Sequence, residues 1–407
     1  MKICGIISEY NPFHKGHKYH IDKTKELTNC DAIVCVMSGN FVQRGLPSIM
    51  DKWTRAELAL GNGVDLVLEL PSIYAISSAE FFSFGAISLL NSLGVIDNIS
   101  FGSELGDVNF LNSISEVLIK EPKEYLIHLK NNLDLGYSYA VARNNALEYY
   151  FKELLSDTIT KKDNISKILN SSNNILAIEY CKSLLNLASS ITPVTIKREG
   201  GTYNSQNLNN IFSSATAIRN SLKDNTSIEV LKDTVPDNVF YKLKSYDNFV
   251  YPDAMVPYLR FKALCSKHSC LSNIPEASEG LDNKIINSLE SLINYEDILG
   301  DIKSKRYAMT RISRILCQYF IGFEKYNINT LRRTPCPYAR VLGFTPKGQE
   351  ILRTLKSTSS IPVYTKLPKE SNEILDLDIQ CTKAYSLLNT SISSKDDYLK
   401  KPMILKI

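Results

Sequence analysis

The first hundred residues predict an α/β fold built around a parallel sheet, and three observations carry that prediction. Apolar, β-branched runs of strand length recur four times, amphipathic stretches of helical period separate them, and the runs are continuous rather than alternating. Continuous apolar strands are those covered by helices on both faces, and the strand-helix-strand order implies right-handed crossovers.

Residues 2–8 (KICGIIS) read as the first buried strand, followed by a helix over 16–27. The second strand is 31–37 (DAIVCVM), and Asp51 is placed to cap a helix over 51–60. A third strand over 64–70 (VDLVLEL) stops at Pro71, a helix covers 78–93, and a fourth strand covers 95–101. The pattern then loosens. Helices are expected over 138–150 and 174–188, a polar loop or frayed helix over 156–172, a strand over 192–197 (TPVTIK), and a further helix from Ser214. A polar segment with a Pro-Asp-Asn turn between 223 and 238 marks the expected boundary, giving domains 1–230 and 231–407. The second is expected to be mainly helical, over 257–267, 282–293, 301–323, 347–356 and a stretch ending at Leu388, with a short strand at 361–364.

Composition narrows the class. With 407 residues, 44% hydrophobic and 22% charged, the chain is neither disordered nor collagen-like. No apolar run approaches the roughly 20 residues of a membrane-spanning helix, so no membrane partner is expected. Nine cysteines, an odd number, read as reduced thiols, and the start lacks the pattern of a signal peptide, so a cytoplasmic location is expected. The net charge of +4 permits a polyanionic partner without arguing for one.

The sharpest motif is Asn11-Pro12-Phe13-His14-Lys15-Gly16-His17, directly after the first strand. Ligands of open parallel sheets bind beyond the carboxyl ends of the strands, and a helix N-terminus there suits a phosphate. Gly16 lets the backbone come close to a ligand. His14 and His17, three residues apart, supply two ring N–H donors that would stabilise the charge developing as diphosphate leaves an α-phosphate. A zinc reading stays open, because His20 continues the spacing, although only Glu9 lies nearby to complete it. A second segment, Phe212-Ser213-Ser214-Ala215-Thr216-Ala217-Ile218-Arg219, offers hydroxyls at a helix start from Ser214 and Thr216 and a planar fork from Arg219.

The His14-x-Gly16-His17 turn is similar to the signature of the HIGH-type nucleotidyltransferases, and 212–219 resembles their later phosphate clamp. The resemblance narrows further. The segments 8–14 (SEYNPFH), 38–45 (SGNFVQRG), 101–104 (FGSE), 173–176 (NNIL), 194–199 (VTIKRE) and 338–344 (YARVLGF) resemble, in order, the bacterial tRNA(Met) cytidine acetate ligase family. One departure is visible: Ala177 stands where members often carry glycine.

That resemblance implies a Rossmann-like nucleotidyltransferase domain and an ATP-dependent ligase. Such enzymes activate acetate as acetyl-adenylate and acetylate N4 of the wobble cytidine of elongator tRNA(Met). His14 and His17 are then the catalytic pair. ATP contacts fall on Ile7, Ser8, Glu9, Tyr10, Asn11, Pro12, Phe13, His14, Lys15, Gly16, His17, Lys18, Tyr19 and His20, and on Gly102, Asn173 and Arg198, with Ser214, Thr216 and Arg219 as the clamp. Asn173 also reads as a simple helix cap. Mg²⁺ is expected with the ATP phosphates, and no carboxylate cage for it is visible.

Two further stretches bear on the substrates. Asn40, Gln43 and Arg44 lie in the loop after the second strand and are candidates for an acetate or cytosine pocket. Lys305, Arg306, Arg311, Arg314, Arg332, Arg333 and Arg340, interleaved with Tyr307, Tyr319 and Tyr338, are candidates for contacts to RNA, with solvated helix faces over core aromatics as the competing reading. The Cys265-x-x-His268-x-Cys270 spacing has no second half and reads as free thiols. An adenylyltransferase of a small cofactor precursor would use the same histidine turn. A basic second domain is superfluous to it.

Overall fold

The computed structural model describes residues 1–154, 165–198, 214–224, 226–265, 270–278, 280–304 and 307–406. Contacts divide the chain into two compact units, one of 1–97 with 200–407 and the other of 98–199. These do not follow the boundary expected near 230. The physical reason is that strands from the C-terminal third pair into the first unit's own sheet.

In that unit β1 (Ile3–Ser8), β2 (Ala32–Ser38) and β5 (Leu66–Leu70) are parallel neighbours, in the order β5-β2-β1. β2 and β5 are buried along their whole length, as continuous apolar runs require. α1 (Lys15–Thr28) and α2 (Lys52–Leu60) follow β1 and the β2 loop, and Asp51 caps α2 by accepting from the Trp53 and Thr54 amides at 3.0 and 3.1 Å. Beyond β5 lie α3 (Ser72–Ala75) and α4 (Ala79–Ser92).

The parallel strands expected of the first hundred residues gain an antiparallel neighbour from the C-terminal region. β8 (Ala339–Phe344) pairs antiparallel with β5, setting Arg340 opposite Glu69. β9 (Val363–Tyr364) and β10 (Met403–Ile404) join β8 in parallel. The rest of the C-terminal region is mostly helical, as expected, with helices such as Leu281–Ser291, Met309–Ile321 and Glu373–Ser386. The long helix expected over 301–323 is instead two, Tyr295–Ile302 and Met309–Ile321.

The second unit pairs β6 (Asn98–Ser103) in parallel with β7 (Thr192–Lys197). Between them run helices including Val108–Lys120, Lys123–Asp134, Tyr139–Leu154 and Ser172–Asn186.

A small hairpin, β3 (Phe41–Val42) with β4 (Leu46–Pro47), interrupts the loop from β2 to α2. At its tip Gly45 has φ +74°, and a Cβ there would fall on the Arg314 backbone. Ser313 Oγ donates to the Gly45 carbonyl at 3.0 Å. Gly45→Ala therefore combines left-handed strain with a backbone overlap, and a loss of at least about 2 kcal/mol is expected in urea denaturation.

Under α3, buried Asp378 accepts from the Ser72 amide and the Tyr338 hydroxyl, each at 2.6 Å. Burial, reinforced by the Glu69 carboxylate, pushes Asp378 up to about 7. The folded chain thus holds this proton more tightly than the unfolded chain, whose carboxyl titrates near 4. Its stabilising contribution is complete below about pH 4 and is lost as pH rises through about 7. Asp378→Asn should flatten the fall in stability over that window, as read from denaturation midpoints at a series of pH values.

Candidate active site

The turn from β1 into α1 is built by its own histidines. His14 is the N-cap of α1, and its Nδ1 accepts from the Gly16 amide at 3.1 Å. His17 reaches back, its Nδ1 accepting from the His14 amide at 3.2 Å. This is a capping box with imidazoles in place of the usual hydroxyl and carboxylate. It stacks the two rings, centroids 3.7 Å apart and planes 21° apart. Since each Nδ1 accepts a hydrogen bond, the ring proton sits on Nε2, so both rings present an Nε2–H edge.

Tyr10 and Phe13 are buried against the pair, their rings 4.9 and 5.5 Å from that of His17. Asn11 is also buried. Its Oδ1 accepts from the Ile49 amide at 2.8 Å, and its carbonyl accepts from Arg219 Nη1 at 2.7 Å. Arg219 Nη2 donates to Thr216 Oγ1 at 3.0 Å, and Ser214 Oγ caps its own helix by accepting from the Ala217 amide at 3.1 Å. The clamp and the histidine turn, more than 190 residues apart, are therefore brought together. Phe212 and Ser213 of that motif, and Glu199 with Gly200 and Gly201, lie outside the described residues. Ile7, Ser8, Glu9, Lys15, Gly16, Lys18, Tyr19 and His20 are half-buried around the turn, with Lys18 paired to Asp22. Among the described residues no three His, Cys, Asp or Glu side chains gather as a metal site, so the zinc reading of His14, His17 and His20 gains nothing. His268 of the cysteine motif lies outside the described residues.

The 38–52 loop borders the turn. The Gln43 amide donates to Glu9 Oε1 at 2.9 Å, and Gln43 Nε2 to the Ser77 carbonyl at 3.2 Å. Asn40 is 2% exposed, its Oδ1 taken by the Lys52 amide at 2.9 Å, so it serves the loop's own packing. Gln43 and Arg44 are half-buried. The residue that secures this loop was not singled out by sequence. Arg55, fully buried on α2, donates from Nη1 to the Glu9 carbonyl (2.5 Å), from Nη2 to those of Ser38 (3.1 Å) and Gly39, and from Nε to that of Met50 (3.0 Å).

The second unit holds the other predicted contacts. A Cβ on Gly102 would stand 3.3 Å from Arg198 Cγ, and the Arg198 amide donates to the Ser103 carbonyl at 2.9 Å. Asn173 is not the cap of its helix, which is Ser171. Its Nδ2 donates instead to Glu104 Oε1 at 2.7 Å, while Glu104 Oε2 accepts from the Asn174 amide at 2.9 Å. Asn174 returns the favour by accepting from the Glu104 and Leu105 amides at 2.9 and 3.1 Å. Glu104 is thus the organiser of this cluster, quoted in the sequence motif without a role.

The basic stretch needs correction. Arg314 and Arg332 are buried beside Glu276, at 3.0 and 3.7 Å, and Arg311 donates to the Glu276 carbonyl at 2.6 and 3.0 Å. Arg340 is enclosed with Glu69 and Asp397, which gives it a structural role in place of the expected RNA contact. Tyr307, Tyr319 and Tyr338 are core residues. Arg333 is exposed and Arg311 half-buried, while Lys305 and Arg306 lie outside the described residues.

A parallel sheet with a paired-imidazole turn at the carboxyl end of β1 defines a nucleotidyltransferase class of protein. The family described as HIGH Nucleotidyl Transferase matches residues 1–399. The chain is 54% identical over 409 residues to the tRNA(Met) cytidine acetate ligase of Clostridium novyi (strain NT), covering 100% of both. It is 54% identical over 410 residues to that of Clostridium botulinum (strain Okra / Type B1), covering 100% of this chain and 99% of the other. Two crystal structures of Thermotoga maritima TmcAL, each 34% identical and covering 100% of both chains, superpose with TM-scores of 0.90 (apo, form I) and 0.88 (bound with alpha-thio ATP). The chain belongs to the HIGH nucleotidyl transferase family, among its tRNA(Met) cytidine acetate ligases.

Because Arg55 satisfies four carbonyls, three of them buried, Arg55→Lys should leave some of them unpaired. The expected cost is roughly 2–4 kcal/mol in chemical denaturation, although charge is conserved.

Proposed function

We propose that this chain is an ATP-dependent ligase that joins acetate to ATP as acetyl-adenylate, releasing diphosphate. It then transfers the acetyl group to N4 of the wobble cytidine of elongator tRNA(Met), giving N4-acetylcytidine and AMP. The observation that carries the reading is the stacked, reciprocally capped His14–His17 pair at the carboxyl end of β1.

The chemistry calls for what such a pair offers. Acetate is a poor acyl donor because oxide is a poor leaving group, and adenylation replaces oxide by AMP. An acetate oxygen attacks the α-phosphorus in line with the departing diphosphate. The Nε2–H edges of His14 and His17 would hydrogen-bond the phosphate oxygens on which charge accumulates. In the first unit Arg219, Ser214 and Thr216 complete the proposed ATP contacts, and in the second the proposed contacts are Gly102, Asn173 and Arg198. In the second step the cytosine amine attacks the acetyl carbonyl, AMP departs and the amine loses its proton. No protein nucleophile is required. Magnesium would enter as part of the ATP substrate, on its phosphates.

Gln43 and Arg44 are the proposed lining of the acetate or cytosine side, and Arg311 and Arg333 the proposed contacts to tRNA phosphates. No helix among the described residues is long and apolar enough to cross a membrane.

Acetate-dependent exchange of labelled diphosphate into ATP, without tRNA, tests the first step. Exchange is expected in the native chain and a fall of about 10²–10³-fold in His14→Ala and His17→Ala. Nucleoside analysis after incubation with labelled acetate, ATP and bacterial tRNA tests the second, and exchange that ignores acetate would sink the reading in favour of another adenylyl acceptor.

A further inference from the structure

Four charged side chains close a ring beside the 38–52 loop. Lys52 Nζ lies 2.8 and 2.9 Å from the two Glu69 oxygens and 2.9 Å from Asp397 Oδ1. Arg340 Nη2 lies 2.9 Å from Asp397 Oδ1, and Nη1 3.5 Å from Glu69 Oε2. None of the four side chains is more than 7% exposed. The ring is neutral, two cations against two carboxylates. Burial works to raise Asp397, and Lys52 and Arg340 overcome it, holding the carboxyl below its usual range.

Stability alone does not account for such a ring, because apolar side chains of the same volume generally serve as well. Its placement does. Lys52 opens α2, and its amide donates to Asn40 Oδ1. The Glu69 carboxylate rests on Gly39, where any Cβ would overlap it. The loop so held is bonded to the histidine turn at two points, Gln43 amide to Glu9 Oε1 and Ile49 amide to Asn11 Oδ1. We propose that Asp397, on the short Asp396–Leu399 helix, is a positioning residue for acetate activation: it completes the ring that fixes Lys52, and through the 38–52 loop sets the His14–His17 turn. The proposal rests on the functional reading above. Without the Asp397 charge, Lys52 and Arg340 compete for Glu69, the buried ring carries net positive charge, and Lys52 and Asn40 shift.

The test compares Asp397→Asn with Asp397→Glu and with Leu355→Ala, a core truncation outside the turn and the ring. Two readouts are taken: acetate-dependent diphosphate exchange, and ¹⁵N imidazole spectra, practical in a chain with five histidines. Asp397→Asn should lose about 10- to 100-fold in kcat/KM, with a raised KM for ATP, and shift the Nδ1 signals of His14 and His17. Asp397→Glu should recover part of both, and Leu355→Ala should melt lower while keeping the native KM and signals. If Asp397→Asn melts lower with native KM and native signals, the residue is merely structural and the proposal is overturned. Should that variant not fold, Glu69→Gln removes one charge from the opposite corner and is read in the same way. Because the spectra do not depend on turnover, they decide whether Asp397 sets the His14–His17 turn separately from whether acetate is the substrate.

Discussion

Parallel strands end with their carbonyls pointing at the place where a ligand is to bind, and those carbonyls need partners. In this chain one guanidinium supplies them. Arg55 donates to Glu9 after β1, to Ser38 and Gly39 at the end of β2, and to Met50 across the intervening loop. Burial pulls this guanidinium below its usual range, against nearby Tyr385, Asp51, Glu9 and Glu69. Much of what the first unit presents at that edge starts from these bonds: Tyr10 through His14 leave β1 directly after Glu9, and the hairpin that carries Gln43 and Arg44 in its turn leaves β2 directly after Gly39. A planar fork with fixed donor directions can hold several carbonyls at once, whereas a point charge on a flexible stem cannot hold them in one geometry.

The strands and helices of the first hundred residues were legible because each is a local pattern. Their apolar runs are continuous, and their caps are spelled out, Asp51 two residues before the amide it accepts from. The histidine turn was legible for the same reason, since three-residue spacing on a first helical turn brings side chains together whatever the tertiary context. β8 was not. Its six residues (ARVLGF) are the length of a strand, but nothing local says that they cross some 270 residues of chain to lie antiparallel against β5. Glu104 was likewise hidden, because a carboxylate capping a helix nearly 70 residues away leaves no trace in spacing.

Charge was the least legible property. Between 301 and 341 basic residues far outnumber acidic ones, and a window count suggests an electropositive surface. The neutralising carboxylates come from outside the window: Glu276 beside Arg314 and Arg332, and Glu69 and Asp397 beside Arg340. Tyrosines that alternate with these arginines are buried for the ordinary reason that aromatic surface drives burial. A charge imbalance in sequence marks a surface only where its residues remain exposed, and of the described arginines in this group Arg333 best meets that condition.

The histidine pair joins folding to the chemistry proposed for it in one set of bonds. Helix N-termini leave amides without partners, and a hydroxyl or carboxylate normally takes them. Using imidazole for the cap engages Nδ1 of His14 and His17 in the fold and so assigns the proton of each ring to Nε2. The ring cannot rotate to follow a ground-state phosphate without breaking its cap, and its partner is stacked 3.7 Å away. In the activity proposed for this pair, donors held in this way would favour the arrangement in which charge has already moved onto the leaving oxygens, which is the condition for accelerating a step rather than merely binding its substrate. A lysine or arginine in the same place would bring full charge to the resting triphosphate as well, and would bind substrate and transition state more nearly alike.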